Sequence, residues 1–207
     1  RKESSAASDV YKRQVDKIQT LELMKLADWL IVTGSQSNVR AAYSSGTPAI
    51  GVGAGNVTVI VDETADLVAA AFKIMKSKTF DHATSCSSEN ALVLVDQIYD
   101  AFLNKLVDCG GRLLDEKEKQ ILQDSLWVNG KLNRQMLARD AEILCQMANL
   151  KRNDSTETKF LMVEESGVGT DYPFSGEKLS PVLSVYRVSD FDDAKQTALN
   201  ILNHQGK

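Results

Sequence analysis

Cys86 sits among hydroxyls and charges, in the run Phe80-Asp81-His82-Ala83-Thr84-Ser85-Cys86-Ser87-Ser88-Glu89. Unpaired cysteines are usually small core residues inside apolar periodic segments. Cys109 and Cys145 fit that rule, each on the apolar side of a helical pattern near Leu106 and Leu144. Cys86 does not, because its loop joins a predicted helix to a predicted strand. A thiol at such a junction is partly exposed, and the N–H groups and dipole of a nearby helix start favour its thiolate. The chemistry this suits is nucleophilic attack on an electrophilic carbon. On spacing alone, an incidental loop cysteine is the other reading.

Other patterns bear on binding. Thr33-Gly34-Ser35 follows a predicted buried strand and precedes a predicted helix. In an open α/β sheet, ligands bind at the carboxyl ends of strands, where the N–H groups of a helix start meet negative charge. Taken alone, the tripeptide is equally an ordinary turn with a serine cap. Gly51-Val52-Gly53-Ala54-Gly55-Asn56 invites comparison with a dinucleotide loop, but its spacing is G-x-G-x-G, and a β-branched strand follows where a helix is required. Its glycines instead admit close backbone approach or unusual dihedrals between two strands. Glu177, in Gly176-Glu177-Lys178-Leu179-Ser180-Pro181, reads in isolation as a solvated loop carboxylate. His82 and His204 have no carboxylate cluster beside them and the cysteines form no CxxC pair, so no metal site is expected. His82 precedes Cys86 by four residues, in a loop that leaves its geometry as a general base unconstrained.

From Val15 onward the chain alternates helix and strand. Val15, Ile18, Leu21 and Met24 mark a helix ending near Asp28, and Trp29–Val32 is a short apolar run expected to be buried on both faces of a parallel sheet. A short helix marked by Val39, Ala42 and Tyr43 leads to strands at Pro48–Val52 and Val57–Val61. Ala65–Lys78 is helical with Leu67, Ala71, Ile74 and Met75 inward, and Ala91–Val95 is a buried strand. A helix through Tyr99, Phe102, Leu103, Leu106 and Val107 is stopped by Gly110-Gly111. Helices are expected at Asp115–Leu126 and Arg134–Asn149, joined by a linker in which Asn129-Gly130-Lys131 has turn chemistry. Strands at Phe160–Val163 and Val182–Tyr186 precede a final helix, Phe191–Leu202, started by Ser189 or Asp190. Alternation of this kind specifies an α/β fold. The glycine-rich stretch Gly51–Asn56 is the candidate domain boundary.

A chain of 207 residues with a formal net charge of −4 gives no electrostatic case for nucleic acid or an acidic membrane as partner. No apolar run approaches the ~18–20 residues that span a bilayer. Three cysteines argue against a disulfide framework, and the cytoplasm is the expected compartment. Residues 1–14 read as a non-native leader: small and polar at first, then Asp9-Val10-Tyr11-Lys12-Arg13-Gln14, which resembles translated adaptor DNA. The leader carries four basic and two acidic residues, so the body is more acidic than the whole. The last residues, Asn203-His204-Gln205-Gly206-Lys207, open a turn, and the chain reads as an internal piece of a longer protein.

Four ordered blocks together resemble the aldehyde dehydrogenase superfamily, and more closely its CoA-acylating branch, which includes acetaldehyde and sulfoacetaldehyde dehydrogenases. They are Val32-Thr33-Gly34-Ser35, the run from Ala41 to Asn56, Ser77-Lys78-Thr79-Phe80-Asp81 leading to Cys86, and Glu177-Lys178-Leu179-Ser180-Pro181. The resemblance covers Val15 to Lys207. It implies that residues 15–55 are the C-terminal part of a Rossmann-type dinucleotide-binding domain and 56–207 a catalytic thiol domain truncated at its C-terminus. It also implies that Cys86 is the nucleophile, Glu177 a ligand of the nicotinamide ribose, and Thr33, Gly34 and Ser35 part of the cofactor crevice. NAD or NADP and coenzyme A are the implied cofactor and co-substrate. A homo-oligomer is the implied state of the full protein, and the fragment alone is expected to be inactive.

One departure from the superfamily bears on mechanism. Hydrolytic members carry a glutamate just ahead of their glycine-rich segment, where it activates water. Ile50-Gly51-Val52-Gly53 has no carboxylate. Without a positioned base, water is a poor nucleophile toward a thioester, whereas a thiol such as coenzyme A attacks readily as its thiolate. The implied reaction is therefore conversion of an aldehyde to its acyl-CoA. The stretch Ala83–Asn90 is nearer the sulfoacetaldehyde enzymes than the acetaldehyde ones, and hydroxyls beside the nucleophile suit an anionic substrate group. The rival readings are a hydrolytic aldehyde dehydrogenase giving a free acid, and a non-catalytic nucleotide-binding or oligomerisation module.

Overall fold

The computed structural model describes residues 16–34, 36–53, 55–151 and 157–205. The expected leader at 1–14, and with it Val15, Ser35, Ala54 and Gly206-Lys207, lies outside the described residues. The chain divides into two compact units, one running to Ala54 and the other from Gly55.

The first unit holds α1 (Lys17–Leu26), β1 (Leu30–Val32), α2 (Gln36–Tyr43) and β2 (Ala49–Gly51). The Asp16 carboxylate starts α1 by accepting the N–H groups of Ile18 and Gln19. β1 and β2 pair in parallel, with Ile31 opposite Ile50 and Val32 opposite Gly51. α2 packs so close to the sheet that a Cβ on Gly51 would lie 2.5 Å from Val39 Cγ1, so glycine is required there. The expectation that Trp29–Val32 is buried on both faces fails. Trp29 is exposed and Ile31 is 79% exposed, although α2 packs against the two-stranded sheet. Met24 alone of the expected apolar stripe on α1 is buried.

The second unit runs through β3 (Val57–Val61), α3 (Leu67–Thr79), β4 (Glu89–Val95), α4 (Tyr99–Asp108), β5 (Gly111–Leu113) and α5 (Glu116–Leu126). It continues through the hairpin β6 (Trp127–Val128) and β7 (Lys131–Leu132), α6 (Ala141–Met147), β8 (Phe160–Glu164), β9 (Val182–Val188) and α7 (Phe191–His204). Five strands form one parallel sheet in the order β3-β4-β9-β8-β5. Side-chain alternation divides the core between its faces. Leu92 and Leu94 of β4, Phe160 and Met162 of β8, and Leu183 and Val185 of β9 meet Ala71 and Ile74 of α3 and Phe102 and Leu106 of α4. On the other face Ala91, Val93 and Tyr186 pack against Ala194 and Ile201 of α7. Leu161, Val163 and Val182 pack against Leu122 and Leu126 of α5 and Leu144 of α6. Helices on both faces explain why these strands read as continuous apolar runs.

Three local expectations are corrected. Gly110-Gly111 ends α4 as expected, yet Gly111–Leu113 then pairs with β8 as an edge strand. Asn129 and Gly130, with φ of 52° and 70°, make the turn expected there, but it closes a hairpin, β6–β7, that was not expected. α6 starts only at Ala141, because Asn133 organises the preceding residues into turns: its carbonyl accepts the Met136 N–H at 2.9 Å and its side-chain oxygen the Gln135 N–H at 3.1 Å.

Candidate active site

The Cys86 loop begins where α3 ends. Asp81, His82 and Ala83 follow with φ of 49°, 50° and 59°, three consecutive non-glycine residues in the left-handed region. Such strain persists only where surrounding bonds over-determine it, and it concentrates at functional sites. Here Thr84 supplies the clamp: its hydroxyl donates to the Asp81 carbonyl at 2.7 Å and can also donate to the Asp81 carboxylate at 2.8 Å, and its N–H reaches the same carbonyl at 3.0 Å. The Ser88 N–H then donates to the Ser85 carbonyl at 2.9 Å, closing a turn with Cys86 in its second position, exposed. The Ser85 and Ser87 hydroxyls flanking the thiol lie 2.8 Å apart. A single 3-10 turn, Phe80–Ala83, precedes Cys86 in this loop and β4 follows it, so no helix starts at the thiol and the expected helix-start dipole is replaced by an open turn. Among the described residues the Cys86 N–H has no acceptor. His82 pairs elsewhere, its Nδ1 lying 3.0 Å from Asp140 Oδ1.

The other thiols have a different setting. Cys109 is half-buried against the α3–α4 core. Cys145, on α6, is buried in the cluster with Leu122 and Leu126 of α5, and burial pushes its thiol up in pKa despite Arg112 Nη1 at 3.8 Å.

Three loops converge on the Cys86 turn at the amino ends of β3, β4 and β9. Gly55 lies under the turn: a Cβ there would stand 2.9 Å from the Cys86 carbonyl oxygen. The Asn56 amide donates to the Ser175 carbonyl at 2.8 Å, and the Lys178 N–H donates to the Asn90 side-chain oxygen at 3.2 Å. Two lysines with no exposed surface complete the framework. Lys78, on the last turn of α3, donates to the Glu89 carbonyl at 2.7 Å. Burial holds its pKa down to about 7, against the pull of Glu89 and Glu177. Lys178 donates to the carbonyls of Phe174 and Gly176 at 2.7 and 3.0 Å and to Ser184 Oγ at 3.1 Å. Burial, with Lys78 nearby, holds its pKa well below the usual lysine value.

Glu177 is therefore not a freely solvated carboxylate. It is half-buried, and burial raises its pKa while Lys178 and Lys78 oppose the rise. Its own N–H donates to Gln205 Oε1 at 3.0 Å. The structure thus brings Glu177 and the Cys86 loop to one edge of the sheet, through Lys78, Asn90 and Asn56. Sequence reading passed over both lysines. A signal existed for Lys78, which continues the inward face of Ala71 and Ile74 at helical spacing; Lys178 sits in a loop and gave none.

Thr33 and Gly34 belong to the first unit, exposed at the carboxyl end of β1 and directly ahead of α2. Ser35 lies outside the described residues. Cys86 and Glu177 sit instead at the amino ends of their strands, opposite to the carboxyl ends where α/β sheets usually receive ligands. A larger cavity of about 1120 Å³ opens beyond the carboxyl ends of β8 and β9, lined by Tyr99, Lys119, Glu165 and Tyr186, away from Cys86. Among the described residues no group of three or more His, Cys, Asp or Glu side chains is placed to hold a metal, and no helix is long and apolar enough to cross a membrane.

Known proteins share this sequence and fold. The sequence profile of the Aldehyde dehydrogenase family matches residues 18–125. Over 192 residues the chain is 50% identical to the acylating sulfoacetaldehyde dehydrogenase of Cupriavidus necator, covering 93% of this chain and 39% of that protein. A crystal structure of an acetylating aldehyde dehydrogenase from Geobacillus thermoglucosidasius superposes with a TM-score of 0.89 at 40% identity, over 93% of this chain and 43% of that one. The propionaldehyde dehydrogenase of Rhodopseudomonas palustris with bound propionyl-CoA superposes with a TM-score of 0.80 at 30% identity, over 89% and 41%. The chain spans about two fifths of the length of these relatives. An exposed thiol on a strained turn at the amino edge of a parallel sheet, in a sequence matched by the family profile over more than half its length, has one assignment: the chain belongs to the aldehyde dehydrogenase family.

Proposed function

We propose that the protein containing this chain is an NAD(P)-dependent acylating aldehyde dehydrogenase, converting a small aldehyde and coenzyme A to the acyl-CoA, with Cys86 as its nucleophile. The observation that carries the reading is the Cys86 turn, which presents an exposed thiol beside a backbone N–H with no acceptor among the described residues. The Cys86 thiolate adds to the aldehyde carbon, forming a C–S bond and moving the carbonyl π pair onto oxygen. We assign that oxyanion to the Cys86 N–H, which has no acceptor among the described residues. A bound nicotinamide dinucleotide supplies the hydride acceptor that turns the adduct into a thioester. The coenzyme A thiolate then attacks this thioester and Cys86 leaves as thiolate, ready for another turnover. With no carboxylate in Ile50–Gly53 to activate water, transfer to a thiol is favoured over hydrolysis.

The residues fit the cofactor. Thr33 and Gly34 stand at the carboxyl end of a parallel strand that opens into a helix, the position where α/β sheets receive dinucleotides. Glu177, half-buried and steered by Lys178 and Lys78, supplies an acceptor suited to a ribose hydroxyl. The three cysteines are free, and we place the protein in the cytoplasm, where thiols stay reduced.

The test is Cys86→Ala in the full-length enzyme. CoA-dependent aldehyde oxidation should fall by at least about a thousandfold, while Cys109→Ala and Cys145→Ala keep most of it. Retention of more than a few per cent of activity by Cys86→Ala would remove the covalent mechanism.

A further inference from the structure

α3 carries lysines at 73, 76 and 78, and the last points into the core. Positions 73, 76 and 80 follow helical spacing, and they line one side of a cavity of about 330 Å³ whose other side is built from Ser85, Ser87 and Ser88. The cavity therefore abuts the residues on both sides of Cys86. Lys73 and Lys76 are exposed, and neither ammonium has a hydrogen-bond or ion-pair partner among the described residues. Among the described residues no acidic side chain lines the cavity. Phe80, an exposed aromatic ring, supplies its apolar wall. Ser88 adds an independent sign of a missing ligand: it is 3% exposed, its Oγ is buried without a partner, and it belongs to the lining. Buried polar atoms are normally paired, and an orphan beside a cavity calls for an acceptor or donor from outside.

We propose that this cavity is the substrate's subsite and that Lys73 and Lys76 select short aldehydes carrying an anionic terminal group, such as a sulfonate or carboxylate. The inference rests on Cys86 being the nucleophile. The carbonyl carbon sits over Cys86, the short carbon chain lies against Phe80, and the anion reaches the two ammonium groups, with Ser88 Oγ available to donate to it. Lysines near a helix C-terminus are also favoured by the helix dipole. That effect does not depend on which side of the helix they occupy, whereas the spacing here turns both toward the cavity. The volume lies at the low end for ligand pockets, which suits a small aldehyde and excludes the bulk of coenzyme A.

The experiment uses the full-length enzyme with Lys73→Gln, Lys76→Gln and the double change. The ratio of kcat/KM for sulfoacetaldehyde over propanal should fall about tenfold for one change and further for both, at the scale of a lost charge-assisted hydrogen bond. In parallel, Cys86 is alkylated with iodoacetate and iodoacetamide. The double variant should lose preference for the anionic reagent, and ethanesulfonate should protect Cys86 in the parent but not in the variant. An unchanged substrate ratio, or a rise confined to the KM for coenzyme A, overturns the subsite. Absence of CoA-dependent turnover with either aldehyde in the parent would instead overturn the proposed function.

Discussion

Lys78 and Glu177 turn the candidate site into a pH-sensitive assembly. Lys78 is held at about 7 in the folded protein against 10.5 for a free lysine. Between those values the unfolded chain binds more protons, so this group makes stability rise with pH across the window. Below about pH 7 both states hold the proton, and the full burden of a buried ammonium remains. Lys178 acts in the same direction, and Glu89 and Glu177 face Lys78 and limit the effect. Lys78→Met should flatten the rise in unfolding free energy, read from urea titrations, from neutral to alkaline pH, by at most about 1.4 kcal/mol per pH unit. A slope identical to the parent's would show that Lys78 stays charged throughout. For Glu177, replacement by Gln should slow NAD(P)+ reduction or weaken cofactor binding in pre-steady-state assays of the full enzyme. The Cys86 alkylation rate should stay the same, since no contact links the carboxylate to the thiol. Normal cofactor kinetics would leave Glu177 a structural residue.

At the scale of elements, the Cys86 turn is shaped by what lies beneath and before it. Gly55 sits 2.9 Å, measured from where a Cβ would stand, from the Cys86 carbonyl. Neither side of that contact is a flexible side chain, so Gly55→Ala must displace one of two backbones. The expected outcome is destabilisation of about 1–3 kcal/mol and a loss of roughly tenfold or more in kcat from misplacement of the thiol. Thermal melts and CoA-dependent turnover measure the two, and full kcat in a folded Ala variant would mean that the turn tolerates the shift. The glycine-rich stretch was readable as a place of close approach, but its partner was not. The contact joins positions about thirty residues apart through loops that carry no periodicity. The left-handed run Asp81–Ala83 was equally hidden, because neither glycine nor asparagine marks it.

The whole molecule contrasts two sheets. The two-stranded sheet of the first unit is half-buried at best, while β4 and β9 of the five-stranded sheet are almost wholly without solvent contact. Sheets of two strands are marginal in water and burial sets local opening energies. Amide hydrogen exchange should therefore be slowest at Leu92–Leu94 and Leu183–Val185, and faster by about a thousandfold or more at β1 and β2; equal protection would contradict that ranking. The alternation of helices and strands, the α/β class, the helix cap at Asp190 and the candidacy of Cys86 were all legible in the chain, whereas Glu177 stood out only through the family resemblance. Each depends on local pattern: periodicity, capping chemistry, or one residue type out of place. The burial of Lys78 and Lys178, the pairing of β5, and the meeting of the 55–56, 85–90 and 174–180 loops were decided only by tertiary structure. They depend on which distant backbone carbonyls and side chains come to hand when five parallel strands pack side by side, and no local spacing encodes that.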